Sequence, residues 1–368
     1  MFGLFKAKDK SKTDFQTRYL DLTVREVIPE TPDAITIVFD KPYNTFTYKP
    51  GQYLTLILPL GESEVRRSYS LCTNPLSDPY PSITVKRVEE GLASNYLNAP
   101  VKSGDKFRAL EPMGSFTPEL KASAHRQHVF IGGGSGITPL FSMIKSVLQV
   151  EKQSQVLLLY QNRDEESIIF RSALEELAAR NPQRLEVIHI LSRPSSGWTG
   201  ITGRLDEELM KAIVYNRVEG QIRESLFYLC GPHALMQMAE KTLFGWKVAG
   251  NQILKESFVA SAGKGKQMID ANAEPEIIDR QVTIVLDGEE YQVLVPAGKS
   301  ILQSALDMGI DMPFSCQSGL CTACRGKLLN GKVYMEEDDG LTDSEIQEGY
   351  VLNCVGHPLT SDVRIEVG

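Results

Sequence analysis

The stretch FSCQSGLCTACRGKLLNG, from Phe314 to Gly331, sets three of the chain's six cysteines within nine residues. Cys316, Cys321 and Cys324 follow the spacing C-x4-C-x2-C, and Cys354, in YVLNCVGHPL, is the other cysteine of this part of the chain. Three thiolates on one loop with a distant fourth form the plant-type pattern for a [2Fe–2S] cluster. Thiolate is the soft, charge-donating ligand that iron–sulfur clusters take. Gly319 lets the backbone turn between ligands, and the small Ser318, Ala323 and Gly326 let N–H groups approach the sulfurs, which tunes their potential. Structural zinc usually shows two separated C-x2-C or Cys/His pairs, and one pair stands here. A disulfide framework suits a cytoplasmic chain poorly. Cys72 and Cys230 lie in other segments and read first as core cysteines.

A second chemical signal is IGGGSGITPLFSM, which follows a strand and opens a helix. Gly132, Gly133, Gly134 and Gly136 let backbone approach a pyrophosphate, whose charge a helix N-terminus favours. Pro139 stands where G-x-G-x-x-G has its third glycine, in a first helical turn that proline tolerates well. The next strand ends in Gln161-Asn162-Arg163 with no acid for a ribose 2′-hydroxyl, although Asp164 is near. Ser192 and Arg193 in LSRPSSG, with Arg204 in TGRLD, could hold a 2′-phosphate, since guanidinium pairs well with phosphate. The expectation is therefore NADPH, with NADH as the alternative. Cys230-Gly231-Pro232 closes a later strand at the sheet edge where open α/β sheets bind ligands. There Cys230 could lie against a nicotinamide ring. A third signal is EVRRSYSLCTN: Arg67 could pair with phosphate, Tyr69 could stack on a planar ring, and Ser70 could bond a ring nitrogen.

Three units must position these groups. DLTVREVIP, AITIVFD, QYLTLILP, VRRSYSLC, SITVKRV and KFRALEP are short β-branched runs punctuated by Gly, Pro and Asp, which predicts a small closed antiparallel barrel. From HVFI onward, strands alternate with helices such as PLFSMIKSVLQV and IIFRSALEELAAR, which predicts a parallel sheet covered on both faces. After Val259–Arg280, small and polar like a linker, VTIVL and YQVLV flank an Asp287-Gly288 turn, a hairpin signal. SILQSALDMG then reads as a helix. The expected division is a mobile tail over 1–16, a barrel over 17–121, an α/β unit over 122–258, the linker over 259–280 and an α+β unit over 281–368.

The 368 residues carry a net charge of -8, which argues against nucleic acid as a partner. From Gln281 onward there are fourteen acidic and five basic side chains, so the acid sits on the last unit, as a solvated face or a docking surface for a basic partner or domain. No apolar run approaches the roughly 20 residues needed to span a bilayer. The basic start lacks the h-region of a signal peptide, so a cytoplasmic location is expected.

In order, PGQYLTL, RSYS, GLASNYL, GGGSGITP and CGP resemble the motifs of the ferredoxin–NADP reductase superfamily. With the cysteine loop behind them and GYVLNCVGHPLTSDVRIEV at the end, the chain resembles its branch of oxygenase reductases with a C-terminal plant-type ferredoxin, the phenylacetyl-CoA epoxidase type among them. The resemblance runs from about residue 17 to the end. It implies an FAD-binding antiparallel β-barrel, an NAD(P)H-binding α/β domain and a β-grasp ferredoxin. It implies that Arg67 contacts the FAD pyrophosphate, with Ser68 in the same stretch, that Tyr69 stacks on the isoalloxazine and that Ser70 lies near N5. Gly91, Leu92, Ala93 and Ser94 would donate to the pyrophosphate. Gly134, Gly136, Thr138 and Pro139 would hold NAD(P)H, and Cys230, with Gly231 and Pro232, would meet the nicotinamide. In KESF, Glu256 and Phe258 would lie near the flavin, while Ser257 replaces the arginine relatives carry.

These sites make chemical sense in series. Nicotinamide yields two electrons as hydride, a [2Fe–2S] cluster takes them singly, and flavin converts between the two. Plant-type clusters lie near −400 mV and donate strongly once reduced. The expected function is an electron-transfer reductase serving a partner oxygenase, with the phenylacetyl-CoA epoxidase type as the best match. The alternatives are a stand-alone reductase for a diffusible carrier, Rieske oxygenase or desaturase, and an iron–sulfur redox sensor.

Overall fold

The computed structural model describes residues 19–43, 46–60, 63–99, 101–218, 221–258, 276–338, 340–341 and 343–367. The expected tail, 1–16, and residues 259–275 of the expected linker lie outside them.

The first sheet holds β1 (Tyr19–Thr31), β2 (Ala34–Phe39), β3 (Tyr53–Leu60), β4 (Ser63–Ser70), β5 (Ser82–Lys86) and β6 (Lys106–Met113), in the order β4-β3-β6-β1-β2-β5. Alternation builds β1: Leu20, Leu22 and Val24 point inward while Asp21 and Arg25 face out. The two edges of the sheet meet through one isolated antiparallel bridge, Leu71 to Ile83, so closure of the barrel is confined to one end. Helix α1 (Leu92–Asn98) plugs it with Ala93 and Leu97. β3 is buried on both faces. Leu54, Leu56 and Leu58 fill the barrel, and Tyr53 points the other way, toward the third unit.

The second sheet runs β7 (Gln127–Gly133), α2 (Ile137–Val150), β8 (Gln155–Asn162), α3 (Arg171–Arg180), β9 (Leu185–Leu191), β10 (Ile201–Thr202), α4 (Glu207–Val218), β11 (Leu226–Cys230), α5 (His233–Gly245) and β12 (Ile253–Glu256). Its order is β10-β9-β8-β7-β11-β12 and every pair is parallel. Phe130, Leu158, Tyr160 and Tyr228 pack on α2 and α3, and Val129, Ile131, Leu157, Leu159, Phe227 and Leu229 on α4 and α5. Each such side chain taken from water contributes roughly 1.5–3 kcal/mol. Ile168, Ile169 and Phe170, expected to open a helix, precede it instead. Phe170 adopts a left-handed φ of 61° as the N-cap of α3, and all three residues pack into the core. That core also takes in Ala34, Cys72 and Phe116 of the barrel.

The joint between barrel and sheet is polar as well. Ser142, Lys145, Ser146 and Gln149 form one face of α2, and they bond Thr73, Asp78 and Asn74 of the loop after β4.

The third unit contains β13 (Arg280–Leu286), β14 (Glu289–Val295), α6 (Ile301–Asp307), β15 (Arg325–Asn330), β16 (Val333–Met335), α7 (Asp343–Gln347), β17 (Tyr350–Leu352), β18 (Gly356–Pro358) and β19 (Arg364–Val367). A mixed sheet, β14-β13-β19-β15-β17, is joined by the pair β16-β18. Asp287 and Gly288 take φ of 54° and 82°, the double left-handed turn that a two-residue hairpin needs. Ser300 caps α6 by accepting from the Gln303 amide. No described helix is long and apolar enough to cross a membrane.

Candidate functional site

The cysteine loop runs between α6 and β15. Gln317 at φ 54° and Gly319 at φ 73° fold it back, and a Cβ on Gly319 would fall 2.7 Å from Glu337 Cβ. The turn brings the amides of Ser318 and Leu320 to 3.5 and 3.4 Å from Cys316 Sγ, and Cys321 Sγ lies 3.2 Å from the same sulfur. Hydrogen bonds from Cys321 and Cys354, together with these two amides, hold the Cys316 thiol far below its ordinary range. The Cys354 thiol meets the sulfurs of Cys316 and Cys324, which push it up. Cys324 is 1% exposed, and Asn353 Nδ2 holds its carbonyl at 2.9 Å. Four thiols thus converge from a loop and from the turn after β17. Four converging thiols in this spacing suit a [2Fe–2S] cluster.

Next to Cys316 and Cys321 is a cavity of about 120 Å³ that opens to solvent. Tyr53, Arg67, Ser68 and Ser70 of the barrel line it, with Glu256, Ser257 and Phe258 from the end of the second unit and Ser315 and Leu320 of the cluster loop. Three units therefore meet at one hollow. Ser70 Oγ donates to Glu256 Oε2 at 3.3 Å. The parallel register of β11 and β12 sets Cys230 beside Glu256. Burial pushes the Glu256 carboxyl up to about 8, against the pull of the Ser70 hydroxyl. Burial likewise pushes the Cys230 thiol up, and Glu256 adds to it. The hollow thus holds a largely protonated carboxyl at neutral pH, next to a polar strand edge and the flat side chain of Phe258, while the Cys230 thiol stands beside that carboxyl in the strand register, outside the lining. That combination suits a planar ring system with hydrogen-bonding edges. Tyr69, raised by burial to about 12 while Arg67 pulls it down, alternates with Ser68 and Ser70 along β4 and is not among the lining residues.

The other expected residues take separate places. Gly91 is the N-cap of α1, and Ser94 Oγ donates to its carbonyl at 3.2 Å while accepting from the Val88 amide. Leu92 is exposed and Ala93 is buried in the barrel core. Gly134, at φ 54° with open space around its Cβ direction, caps the sheet edge, and Thr138 Oγ1 bonds the Ser135 carbonyl. Gly136 has a different reason to be glycine. A Cβ there would fall 2.1 Å from the Cys230 carbonyl, so it lets α2 pack on the Cys230-Gly231-Pro232 turn. Pro139 is buried in the first turn of α2, and Pro232 is the N-cap of α5. Ser192 and Arg193 leave β9 with their amides bonded to the Asn162 and Arg163 carbonyls. Arg193 and Arg204 are exposed. They stand at the same edge of the sheet as Gly134, apart from the hollow.

Sequence reasoning passed over Tyr53, Ser315 and Leu320. Tyr53 Oη lies 3.0 Å from Thr322 Oγ1, and Ser68 Oγ lies 2.8 Å from Ser315 Oγ. The available signal was the aromatic residue in PGQYLTL, which no core position of the barrel uses.

Comparison with known proteins accounts for this arrangement. Residues 20–117 match the oxidoreductase FAD-binding domain, 130–241 the oxidoreductase NAD-binding domain and 284–359 the 2Fe-2S iron–sulfur cluster binding domain. Over 354 residues the chain is 34% identical to one of the subunits of 1,2-phenylacetyl-CoA epoxidase from Escherichia coli K12, covering 95% of this chain and 98% of that protein. It is also 34% identical, over 95% of this chain and 97% of the relative, to the ferredoxin reductase component of 3-ketosteroid-9-alpha-monooxygenase from Rhodococcus rhodochrous. The chain belongs to the oxygenase reductase family. It is an oxidoreductase built from FAD-, NAD- and [2Fe–2S]-binding domains. The fold of such a reductase recurs in phthalate dioxygenase reductase, with a TM-score of 0.57 and 23% identity over 95% of this chain and 98% of that one. In the reductase family the four cysteines fit the cluster, and the mainly apolar hollow, edged by Ser68, Ser70 and Glu256, fits the ring of a flavin.

Proposed function

We propose that this reductase passes electrons from NADPH, through FAD and the cluster, to an oxygenase of the phenylacetyl-CoA epoxidase type. The observation that carries the reading is the shared hollow: Ser68 and Ser70 of the flavin-binding stretch and Cys316 and Cys321 of the cluster loop line one cavity. When bound, the flavin takes hydride and yields single electrons. The chain's residues arrange that exchange. Arg67 binds the pyrophosphate together with the Gly91–Ser94 turn, Ser70 and Glu256 bond the ring edge, and Tyr69, expected to stack on the ring, instead packs against the barrel core and supports β4 from its other face. Phe258 shields the ring from water. The Cys230-Gly231-Pro232 turn and the Gly134–Pro139 helix start seat the nicotinamide nucleotide, and Ser192, Arg193 and Arg204 take a 2′-phosphate. Cys316, Cys321, Cys324 and Cys354 ligate the irons. The working division is barrel to 121, α/β unit to 258, linker to 280 and ferredoxin beyond.

A cytoplasmic setting belongs to the same proposal, because an NADPH-dependent donor with all six cysteines unpaired suits a reducing compartment. The equal identity to the 3-ketosteroid monooxygenase reductase supports a Rieske-type steroid oxygenase as second reading. Reconstitution decides between them. The purified chain is mixed with the catalytic subunits of each oxygenase, and product is followed with NADPH and with NADH. Epoxide formed from phenylacetyl-CoA, at least tenfold faster with NADPH, is the expected result. Turnover only with the steroid oxygenase, or a tenfold preference for NADH, would overturn the respective part.

A further inference from the structure

Beyond the flavin and cluster pockets, the barrel grips the segment that leads into the first cluster cysteine. Arg66 projects from β4, and its side chain is 10% exposed. Its guanidinium Cζ sits 4.1 Å over the ring centroid of Phe314, and one nitrogen lies 3.8 Å from Asp311 Oδ1. Tyr19 Oη donates to Asp311 Oδ2 at 2.6 Å, and Arg108 stacks on Tyr19 at 4.0 Å. Two barrel strands, β4 through Arg66 and β1 through Tyr19, thus close on Asp311–Phe314, and Arg108 of β6 backs Tyr19. The seat continues along the same face of β4 to the Ser68–Ser315 bond, and Cys316 is the next residue.

One atom argues that this seat is more than surface decoration. Arg66 Nη1 is buried without a hydrogen-bond partner. Holding a guanidinium edge out of water is costly, and the guanidinium here is offset by the ring face of Phe314 and the Asp311 carboxylate. Both partners belong to the ferredoxin unit. With that unit lifted away, the guanidinium regains water, so its burial depends on docking.

We propose that Arg66 is a positioning residue that seats the cluster loop on the flavin strand, setting the distance over which one electron leaves the reduced flavin and enters the oxidised cluster. The Arg66 contact also gives the acidic last unit a basic partner inside the chain. The inference rests on the electron-transfer reading above. Intramolecular transfer falls steeply with separation, and Phe314, Ser315 and Cys316 are consecutive, so a loosened seat moves the cluster directly.

The test uses full-length protein with FAD and cluster loaded, mixed anaerobically with NADPH. In Arg66→Ala, flavin bleaching stays within twofold of wild type while cluster bleaching slows at least tenfold. Arg66→Lys, which keeps the charge and the ring contact, recovers most of that rate. Asp311→Asn leaves β4 untouched and shows the same split, more weakly; it also serves if Arg66→Ala folds poorly. A structural readout accompanies the kinetics. Hydrogen exchange in Arg66→Ala speeds up in peptides spanning 63–70 and 311–322 and is unchanged in 127–133. Cluster bleaching within twofold of wild type in both variants overturns the proposal, as does an equal slowing of flavin and cluster. A wild-type cluster that NADPH never reduces contradicts the electron-transfer reading itself.

Discussion

Ser70 Oγ donates to Glu256 Oε2 across 3.3 Å, joining a barrel strand to the last strand of the second sheet at the wall of the hollow beside Cys316 and Cys321. Because burial holds this carboxyl at about 8 against an ordinary value of 4.5, it ties stability to pH. Between those two values an unfolded chain has released a proton that the folded chain keeps. The stability this group contributes is therefore complete below about 4.5 and is lost as pH rises toward 8. Glu256→Gln removes that slope. Urea unfolding of FAD-free protein at several pH values should show the variant gaining on wild type, on the order of a few kcal/mol by pH 8. A difference independent of pH would contradict the assignment.

Cys324→Ser tests the ligand set. This residue is the most buried of the four, and a hydroxyl is a poor replacement for a soft thiolate. Iron and sulfide should fall to a small fraction of wild type, and transfer to one-electron protein acceptors should stop. Ferricyanide reduction driven by NADPH at the flavin should continue within about twofold, a margin of well under 1 kcal/mol. Retained iron would show that the ligands are wrongly assigned.

A buried network at the opposite end of the sheet governs stability alone. Glu151 Oε2 lies 2.8 Å from His128 Nε2 and accepts from Ser154 Oγ at 2.7 Å, Arg126 pairs with the same carboxylate, and His128 Nδ1 lies 3.2 Å from the Tyr228 hydroxyl. Burial would raise this carboxyl, but the hydrogen bonds from His128, Arg126 and Ser154 hold it far below its usual range. Its stabilisation is thus present above about 4.5 and lost as pH falls. Glu151→Ala removes the carboxylate that His128, Arg126 and Ser154 share and should cost about 3 kcal/mol at neutral pH, because Arg126 is partly exposed and keeps the Glu119 carbonyl. Thermal melts check the loss. The KM for NADPH should not move, because the network sits at the start of β7, away from the glycine loop.

The joint between barrel and sheet offers a test of coupling. Asn74 is 1% exposed and bonds both Ser146 and Gln149 of α2, the helix whose first turn follows the glycine loop. Asn74→Ala should cost about 1–3 kcal/mol, the penalty for buried partners left unmade. It should also slow flavin reduction by bound NADPH while FAD content holds. Equal loss of FAD and rate would assign Asn74 to flavin retention instead.

Much of this was legible in the chain because it is local. C-x4-C-x2-C needs one loop, Asp287-Gly288 needs one turn, and alternation in DLTVREV declares its own buried face. Long-range pairings were not legible. Ser68 and Ser315 stand 247 residues apart, and neither hydroxyl signals a partner. Ile168-Ile169-Phe170 stands directly before the helical pattern and imitates its start, and only the left-handed turn at Phe170 reveals that the core takes these residues before α3 begins. The glycine cluster misleads in another way. Gly134 and Gly136 look alike in sequence, yet one leaves open space and the other makes room for the Cys230 carbonyl.

A reductase of this build takes electrons in pairs from a nicotinamide nucleotide and releases them one at a time through a cluster. Rapid anaerobic mixing of the purified holoprotein with NADPH, followed by visible absorbance and by electron spin resonance, tests it most directly. The flavin band should bleach first and the cluster band second, with the spin signal of a reduced [2Fe–2S] centre appearing in the second phase. A cluster that stays oxidised for minutes beside a fully reduced flavin would contradict it, and would leave the cluster as a sensor rather than a conductor.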